Sequence, residues 1–327
     1  MSTDISPSSW DREFALEPGL CYLNHAAVAP WPVRTAAAVE RFARQNVSRG
    51  ARDYPAWVAA ERELRERLAA LIGVQAPDVA LQKNTSEALS FVAMGLPWRT
   101  GDSVVLAREE FPSNRIAWQA LESRGVEVRQ AAIGNAHDPE GALLALMDER
   151  TRVLTVSSVQ YGTGLRMDLE RLGRECRRAG VLLCVDAIQS LGALTFDAAA
   201  YHADFVVADG HKWMLGPEGV ALLWCRPELR DTLALHEFGW HMTDVYDDFD
   251  ADIWQPAATA RRFECGSPNM LGIHALNASL ELLQDIGMTT VQDAVLQRSA
   301  WLQSALRASP DVEVLSDPRP QRASGIV

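Results

Sequence analysis

A lysine follows an apolar run in the second half of the chain. The run Phe205–Ala208 is followed by Asp209. Lys212 lies three residues after Asp209 and before the Gly216-Pro217 turn. A lysine held beside a buried strand is poorly hydrated, and desolvation lowers the pKa of its amine so that it can form a Schiff base. An ion pair between Lys212 and Asp209 is the structural alternative, and this segment alone leaves both open.

A second apolar run ends in a carboxylate. Val181–Val185 is followed by Asp186, and Gln189 lies three residues further on. Open α/β sheets bind their ligands at the carboxyl ends of the strands, where such a carboxylate can hold a proton or a cation on a ligand ring. The alternative is an aspartate that only caps a helix.

A third segment carries two hydroxyl groups. Thr85 and Ser86 follow the apolar piece Val79–Leu81 and open a helical pattern. Hydroxyls and free backbone N–H groups at a helix N-terminus bind anions. An ordinary capping box, in which Thr85 or Ser86 caps the helix and Glu87 lies in the first turn, is the alternative.

The elements that must position these residues alternate along the chain. Short runs rich in Val and Leu are separated by amphipathic stretches, which predicts an α/β fold with a mostly parallel sheet flanked by helices. The predicted strands are Val104–Leu106, Val153–Val156, Val181–Val185, Phe205–Ala208 and Val220–Trp224. The predicted helices include Ala56–Ile72, Ser113–Ser123 and Leu169–Ala179.

Composition excludes several function classes. The 327 residues include 31 basic and 43 acidic side chains, a net charge of −12, which argues against nucleic acid and anionic lipid as partners. No apolar run is long enough for a membrane span. The five scattered cysteines form no C-x-x-C and the spread-out histidines form no ligand set, so we expect no metal site. This cysteine usage, with no signal peptide at the N-terminus, predicts a cytoplasmic protein.

Together the segments resemble the class V aminotransferase family of pyridoxal 5'-phosphate (PLP) enzymes, which includes cysteine desulfurases and isopenicillin N epimerase-like proteins. The resemblance runs from Tyr22 to the last residue. It rests on motifs in the family's order: NTSEAL, EEFPSN, SSVQYGTG, VDAIQS, ADGHKWMLGPEG and RRFECGSPN. It implies the PLP-dependent transferase type I fold, with a second, smaller α/β domain. We expect residues 1–21 to join the small domain, residues 22–287 to form the large PLP-binding domain, and residues 288–327 to begin a small domain that is incomplete.

The resemblance implies a catalytic role for two of these residues. Lys212 matches the lysine that binds PLP as a Schiff base and then acts as general base at the substrate's α-carbon. Asp186 matches the aspartate that pairs with the pyridine N–H, where it keeps the ring an electron sink. Gln189 matches a residue that hydrogen-bonds the cofactor's phenolic oxygen.

Further cofactor contacts are implied by the same resemblance. Thr85 and Ser86 match the phosphate-binding turn, and His211 is expected in the phosphate shell. Phe111 falls where the family stacks a ring on the cofactor. Asp209 stands where many relatives have a phosphate-binding serine, and a carboxylate repels a phosphate. Asp209 is therefore expected to point away, unless the phosphate is held differently.

Three positions concern the substrate and a partner. Ser267 matches a position that reaches the neighbouring subunit's phosphate, which implies a homodimer with shared active sites. Asn24 and His25 lie where relatives bring an N-terminal loop near the substrate, although a structural turn fits them equally well.

The reaction implied is chemistry at the α-carbon of an amino acid or amine. SSVQYGTG and GHKW favour an aminotransferase-like or epimerase-like enzyme. The alternatives are a cysteine desulfurase or C–S lyase, and a non-catalytic PLP-fold binding protein.

Overall fold

The structure is a computed structural model that describes residues 10–245, 248–250 and 252–327. The first nine residues of the segment predicted to join the small domain therefore lie outside the described residues. The strands are β1 Val79–Gln82, β2 Ser103–Ala107, β3 Glu127–Ala131, β4 Thr151–Ser157, β5 Leu182–Asp186, β6 Phe205–Asp209 and β7 Ala221–Cys225. The α-helices are α1 Val33–Arg49, α2 Tyr54–Ile72, α3 Thr85–Gly95, α4 Ser113–Gln119, α5 Pro139–Leu144, α6 Leu169–Ala179, α7 Met270–Ile286 and α8 Met288–Arg307.

The strands form a seven-stranded sheet in the order β1-β7-β6-β5-β4-β2-β3. β7 runs antiparallel to both of its neighbours, and the other paired strands run parallel. Every residue of β2, β6 and β7 is buried, which explains their continuous apolar sequence. The predicted α/β fold with a mostly parallel sheet is confirmed.

The predicted strands are all present, with shifts of one or two residues at their ends. Two strands are missing from the predictions. β1 was noted only as the short apolar piece Val79–Leu81. β3 was missed because its sequence EVRQA is polar and it lies at the edge of the sheet, where only its last residue is buried. The helix predicted over Ser113–Ser123 is shorter than expected, because the chain tightens into a 3₁₀ helix at Ala120–Arg124.

Two hydrophobic layers enclose the sheet. On one face, Leu64 and Leu68 of α2 pack with Leu276 of α7, together with one set of alternate strand residues. On the other face, Leu89 of α3 and Trp118 of α4 pack against the other set. Both faces of the sheet are thus covered, so a ligand can approach it at the ends of its strands.

The predicted domain boundary coincides with a break between two helices. α7 ends at Ile286, and Gly287 adopts a φ of +85°, after which α8 begins at Met288. The division into domains itself stays a prediction. In the part of the chain that the structure describes, the helices are too short or too polar to cross a membrane.

Candidate active site

A cavity of about 480 Å³ opens at the carboxyl ends of β5 and β6, beside the N-terminus of α3. This volume is typical of a site for a small molecule or cofactor. Most of the predicted site residues line it: Asn24, Thr85, Ser86, Phe111, Asp186, Gln189, His211 and Lys212.

Lys212 lies in the turn after β6 and is only 7% exposed. The turn is fixed by backbone hydrogen bonds from Gly216 N–H to Gly210 C=O and from Gly210 N–H to Val220 C=O. Burial lowers the pKa of the Lys212 amine, and the negative charges of Asp186 and Asp209 only partly oppose this shift. A lowered pKa increases the neutral fraction of the amine, which is the form that attacks a carbonyl.

Asp186 ends β5 with a carboxyl group that is 2% exposed. Burial raises its pKa to about 7, against the opposing effect of a 3.0 Å hydrogen bond from the Ile188 backbone N–H to its Oδ1. The next residues form a turn rather than a helix, so the helix-capping alternative is wrong. The Asp186 side chain lines the cavity, and its Oδ1 accepts the hydrogen bond from that turn.

Gln189 has both ends of its amide bonded within the chain. Its Nε2 donates to the Ala26 carbonyl at 2.9 Å, and its Oε1 accepts from the Trp213 indole N–H at 2.8 Å. Nε2 carries a second hydrogen, which leaves a donor for a ligand in the cavity. The Trp213 ring in turn stacks on His25, with centroids 5.7 Å apart. The structure thus places Asn24, but not His25, in the cavity lining.

The N-terminus of α3 differs from the predicted capping box. Asn84 caps the helix, because its Oδ1 accepts from the Glu87 backbone N–H at 2.9 Å. Thr85 is buried, and its hydroxyl has no hydrogen-bond partner within the described residues. Ser86 donates to the Ser113 hydroxyl at 2.8 Å. A buried, unbonded hydroxyl beside a helix N-terminus is an arrangement that an anion completes.

Aromatic side chains flank the lysine. The Lys212 ammonium lies 5.3 Å from the centre of the Phe111 ring. Tyr161 meets Phe111 edge to face, at 5.2 Å between centroids, and also lines the cavity. Tyr161 was not among the residues predicted for the site, although it lies in SSVQYGTG just after β4, at the same sheet edge as the predicted residues.

Two departures from the family pattern have clear positions. Asp209 is 4% exposed and lines the cavity, so it does not point away from it. Its carboxylate lies 3.0 Å from His211 Nδ1, which makes His211 rather than Lys212 its nearest basic group. Ser158, which stands where many relatives carry an asparagine, is buried outside the cavity lining, and its hydroxyl contacts Ser190 and the Asp186 carbonyl.

Ser267 does not reach this cavity within one chain. It is exposed and lines a separate cleft of about 110 Å³ with Lys83, Glu237 and Cys265. Its expected contact with a neighbouring subunit stays a prediction.

A second group of buried charges lies elsewhere. We call Glu61, Arg65, His241 and Glu264 the buried ionic cluster. The carboxylates and the imidazole bring ligand atoms within 4.8 Å of one another. However, the Arg65 guanidinium binds both carboxylates, at 2.7 Å from Glu61 and in direct contact with Glu264. The cluster therefore already contains its own cation.

The contents of the cavity fit PLP. A desolvated amine suits an aldehyde, a buried carboxyl suits a ring nitrogen, and an unbonded hydroxyl at a helix N-terminus suits a phosphate.

Comparison with known proteins gives a consistent result. The sequence profile of the family described as Aminotransferase class-V matches residues 21–327. A probable cysteine desulfurase of Methanothermobacter thermautotrophicus is 34% identical over 315 residues, which cover 94% of this chain and 78% of that protein. The cysteine desulfurase of Cronobacter sakazakii is 30% identical over 328 residues, 97% of this chain and 79% of that protein.

Solved structures agree on the fold. The cystine C-S lyase C-DES, in complex with its reaction product cysteine persulfide, superposes with a TM-score of 0.85 at 25% identity, over 92% of this chain and 82% of that chain. The apo cysteine desulfurase of Thermococcus onnurineus NA1 gives a TM-score of 0.78 at 24% identity, over 94% of this chain and 77% of that chain.

These matches confirm the predicted family, the type I fold and the dependence on PLP. The chain belongs to the class V aminotransferase family, whose members are PLP-dependent enzymes.

Proposed function

We propose that this PLP enzyme removes the α-proton of a small amino acid, and that its substrate carries sulfur on the β-carbon. The observation that carries the proposal is that Lys212 and Asp186, both nearly withdrawn from solvent, line the same cavity. An amine and a carboxyl with pKa values shifted toward each other are typical of a site built for proton transfer.

PLP, when bound, supplies a ring that withdraws electron density from the substrate's α-carbon. Asp186 would hold a proton at the ring nitrogen, and the positive charge there would give its buried carboxylate a partner. Lys212 would hold the cofactor covalently, and its Nζ, when free, would take the α-proton as general base.

The remaining lining residues hold and orient the cofactor. Thr85, whose hydroxyl has no partner among the described residues, would donate its hydrogen to the phosphate at the N-terminus of α3, where the helix dipole favours negative charge. Ser86 would do the same by turning its hydroxyl hydrogen away from Ser113. Phe111 would cover one face of the ring, and Gln189 would donate its second Nε2 hydrogen to the phenolic oxygen. His211 would lie near the phosphate, and its Nδ1 lies 3.0 Å from the Asp209 carboxylate.

The substrate class is supported by the relatives. The curated proteins at 30–34% identity are named cysteine desulfurases, and the C-DES structure contains cysteine persulfide. This favours sulfur chemistry over the aminotransferase-like or epimerase-like reaction that the motifs favoured. All of these reactions share the α-proton step and differ in the bond that is made or broken after it.

The structure of the C-S lyase C-DES with cysteine persulfide favours elimination over attack by a protein thiol. Cys176, Cys184 and Cys225 are buried, and burial raises the pKa of each thiol. None of the described cysteines lines the cavity. In an elimination, the C–S bond electrons leave with sulfur when the α-proton is removed, so no thiol is required. Cystine and water then give cysteine persulfide, pyruvate and ammonia.

The test is incubation of the PLP-loaded protein with L-cystine, L-cysteine and L-alanine in D₂O. We expect exchange of the α-hydrogen, and pyruvate with persulfide from cystine. Alanine and sulfide from cysteine would indicate a desulfurase, and amino transfer or racemisation without sulfide would indicate the other branches. A loaded protein that exchanges no α-hydrogen would contradict the proposal and leave a non-catalytic binding protein. Lys212→Ala is the matched control.

We also propose a cytoplasmic homodimer with a large domain at 22–287 and a small domain from 288. The free cysteines support a reducing compartment, and the break at Gly287 supports the boundary between the domains.

The dimer is supported by exposed apolar side chains on the segment that precedes Ser267, among them Phe238 and Trp254, which a second copy of the chain would cover. Light scattering after gel filtration should give twice the chain mass of 36.0 kDa. A monomer at micromolar concentration would contradict the dimer.

A further inference from the structure

Trp213, the residue after the lysine, contacts the cofactor cavity only indirectly. Its indole N–H donates to Gln189 Oε1 at 2.8 Å, and its ring stacks on His25 at an interplanar angle of 23°. A Cβ atom added at Gly325 would lie 2.5 Å from the ring, so the C-terminal segment packs closely against the indole. The Trp213 ring is therefore fixed by His25 and the C-terminal segment, and its N–H is bonded to Gln189 Oε1.

The two partners of the Gln189 amide require the same orientation. An indole N–H can only donate, so it must face the amide oxygen, and a backbone carbonyl can only accept, so Ala26 must face the amide nitrogen. Rotation of the amide by 180° would place N–H against N–H and oxygen against oxygen. With both partners present, Nε2 is the atom left to face the cavity.

We propose that Trp213 is a positioning residue that fixes the Gln189 amide with its N–H directed at the cofactor's phenolic oxygen. The proposal rests on the proposed function, because that oxygen belongs to PLP. An N–H aimed at the anionic oxygen stabilises its negative charge, so the oxygen offers less support to a proton on the neighbouring Lys212 nitrogen. An amide free to turn would present its own oxygen instead and would make that proton harder to remove.

The experiment is a pH titration of the visible absorbance of the PLP-loaded protein. Trp213→Phe keeps an aromatic ring beside His25 and Gly325 but removes the N–H. We expect the pH midpoint of the spectral change to rise by about 1 unit, the size that corresponds to one hydrogen bond to a charged oxygen. An unchanged midpoint with a normal visible band would overturn the proposal.

A double-mutant cycle separates positioning from a general effect of the ring. In a Gln189→Leu background, Trp213→Phe should add nothing to the shift, because its target is gone. A full additive shift would overturn the proposal. Trp98→Phe is the matched control, because it removes an indole N–H that donates to the Ala93 carbonyl outside the cavity, and it should leave the midpoint unchanged.

The same titration distinguishes this proposal from the proposed function. A wild-type protein that develops no visible band with PLP contradicts both. A wild-type protein with a normal band and a midpoint that Trp213→Phe does not move contradicts only the role of Trp213. Circular dichroism of each variant shows whether it folds, and Gly325→Ala, which presses on the same ring, gives a second variant that should also shift the midpoint.

Discussion

The cavity at the ends of β5 and β6 and the buried ionic cluster both withdraw charged side chains from water, but they satisfy them differently. In the cluster, burial opposes ionisation of Glu61, yet contact with His241 and Arg65 outweighs burial and lowers its pKa. In the cavity, burial prevails, so the pKa of Asp186 rises to about 7 and the pKa of Lys212 falls.

The difference lies in what each region lacks. The carboxylates of the cluster meet the Arg65 guanidinium of the same chain. The Asp186 carboxyl and the Thr85 hydroxyl are buried with fewer partners than they can bind. Burial alone therefore does not identify a functional site. Buried polar groups that are left unsatisfied together in one cavity are better evidence, because a ligand that enters the cavity can satisfy them.

The largest expected effect is on catalysis in the cavity. Lys212→Ala removes both the covalent attachment and the general base, so we expect the α-hydrogen exchange rate to fall by at least about 10³-fold. Proton NMR in D₂O measures this rate. The unfolding midpoint should not fall, because a desolvated amine contributes little stability. Exchange within about 10-fold of the wild-type rate would contradict the role of Lys212.

The next effect falls on the buried ionic cluster. Arg65→Ala leaves two buried glutamates without their cation, and we expect the free energy of unfolding to drop by about 3–5 kcal/mol in urea titrations. The exposed pair Glu40–Arg44 supplies the control, and Arg44→Ala should cost at most about 0.5 kcal/mol. If Arg65→Ala changed the cofactor spectrum without changing stability, the cluster would belong to the active site.

Asp186 predicts a pH dependence with a definite sign. In the unfolded chain its carboxyl ionises near 3.8, whereas in the folded protein without cofactor it stays protonated up to about 7. The folded state therefore binds more protons in this window, and its stability falls as the pH rises from about 4 to about 7. Asp186→Asn removes this loss and should stabilise the cofactor-free protein at pH 8 by about 2–4 kcal/mol, with no difference at pH 4.

Thermal unfolding at several pH values tests this prediction. Asp138 is a control of opposite sign, because its bidentate contact with Arg171 lowers its pKa to about 2. Asp138→Asn should therefore reduce stability above pH 4. A stability of Asp186→Asn below that of the wild type at pH 8 without cofactor would show that the carboxyl is satisfied by the chain.

The smallest effect concerns a single hydroxyl. Thr85→Val should weaken PLP binding by about 10–100-fold, because a hydrogen bond to a charged phosphate is lost. Stability without the cofactor should be unchanged or slightly higher, since the hydroxyl is unbonded there. Thr35 is the matched control, because its buried hydroxyl bonds Ser279 at 2.7 Å. Thr35→Val should cost about 1 kcal/mol and leave PLP affinity unchanged.

The sequence predicted the sheet well because its central strands are buried on both faces. A short apolar run such as Phe205–Ala208, with charged residues and a glycine beside it, is readily recognised as a buried strand. β3 was missed because an edge strand carries polar side chains, and its pairing is set by the neighbouring strand rather than by its own pattern.

The site was predicted only in part, for similar physical reasons. Lys212, Asp186 and Thr85 were found because each stands next to a strand end or helix start that the sequence reveals. The partners of Gln189 were not, since Ala26 and Trp213 meet it through tertiary folding. The buried ionic cluster was also missed, because Glu61 and Arg65 on α2 are distant in sequence from His241 and Glu264, and His241 lies in a segment that looks like an ordinary loop.

The central claim is that the unsatisfied groups of the cavity exist to hold PLP on Lys212. The direct test is borohydride reduction of the PLP-treated protein, followed by peptide mass mapping. Reduction fixes the C=N bond between the lysine and the cofactor. A pyridoxyl group on the peptide that contains Lys212 is the predicted result. A label on Lys83, the other lysine of the sequence, or no label at saturating PLP, would contradict the claim.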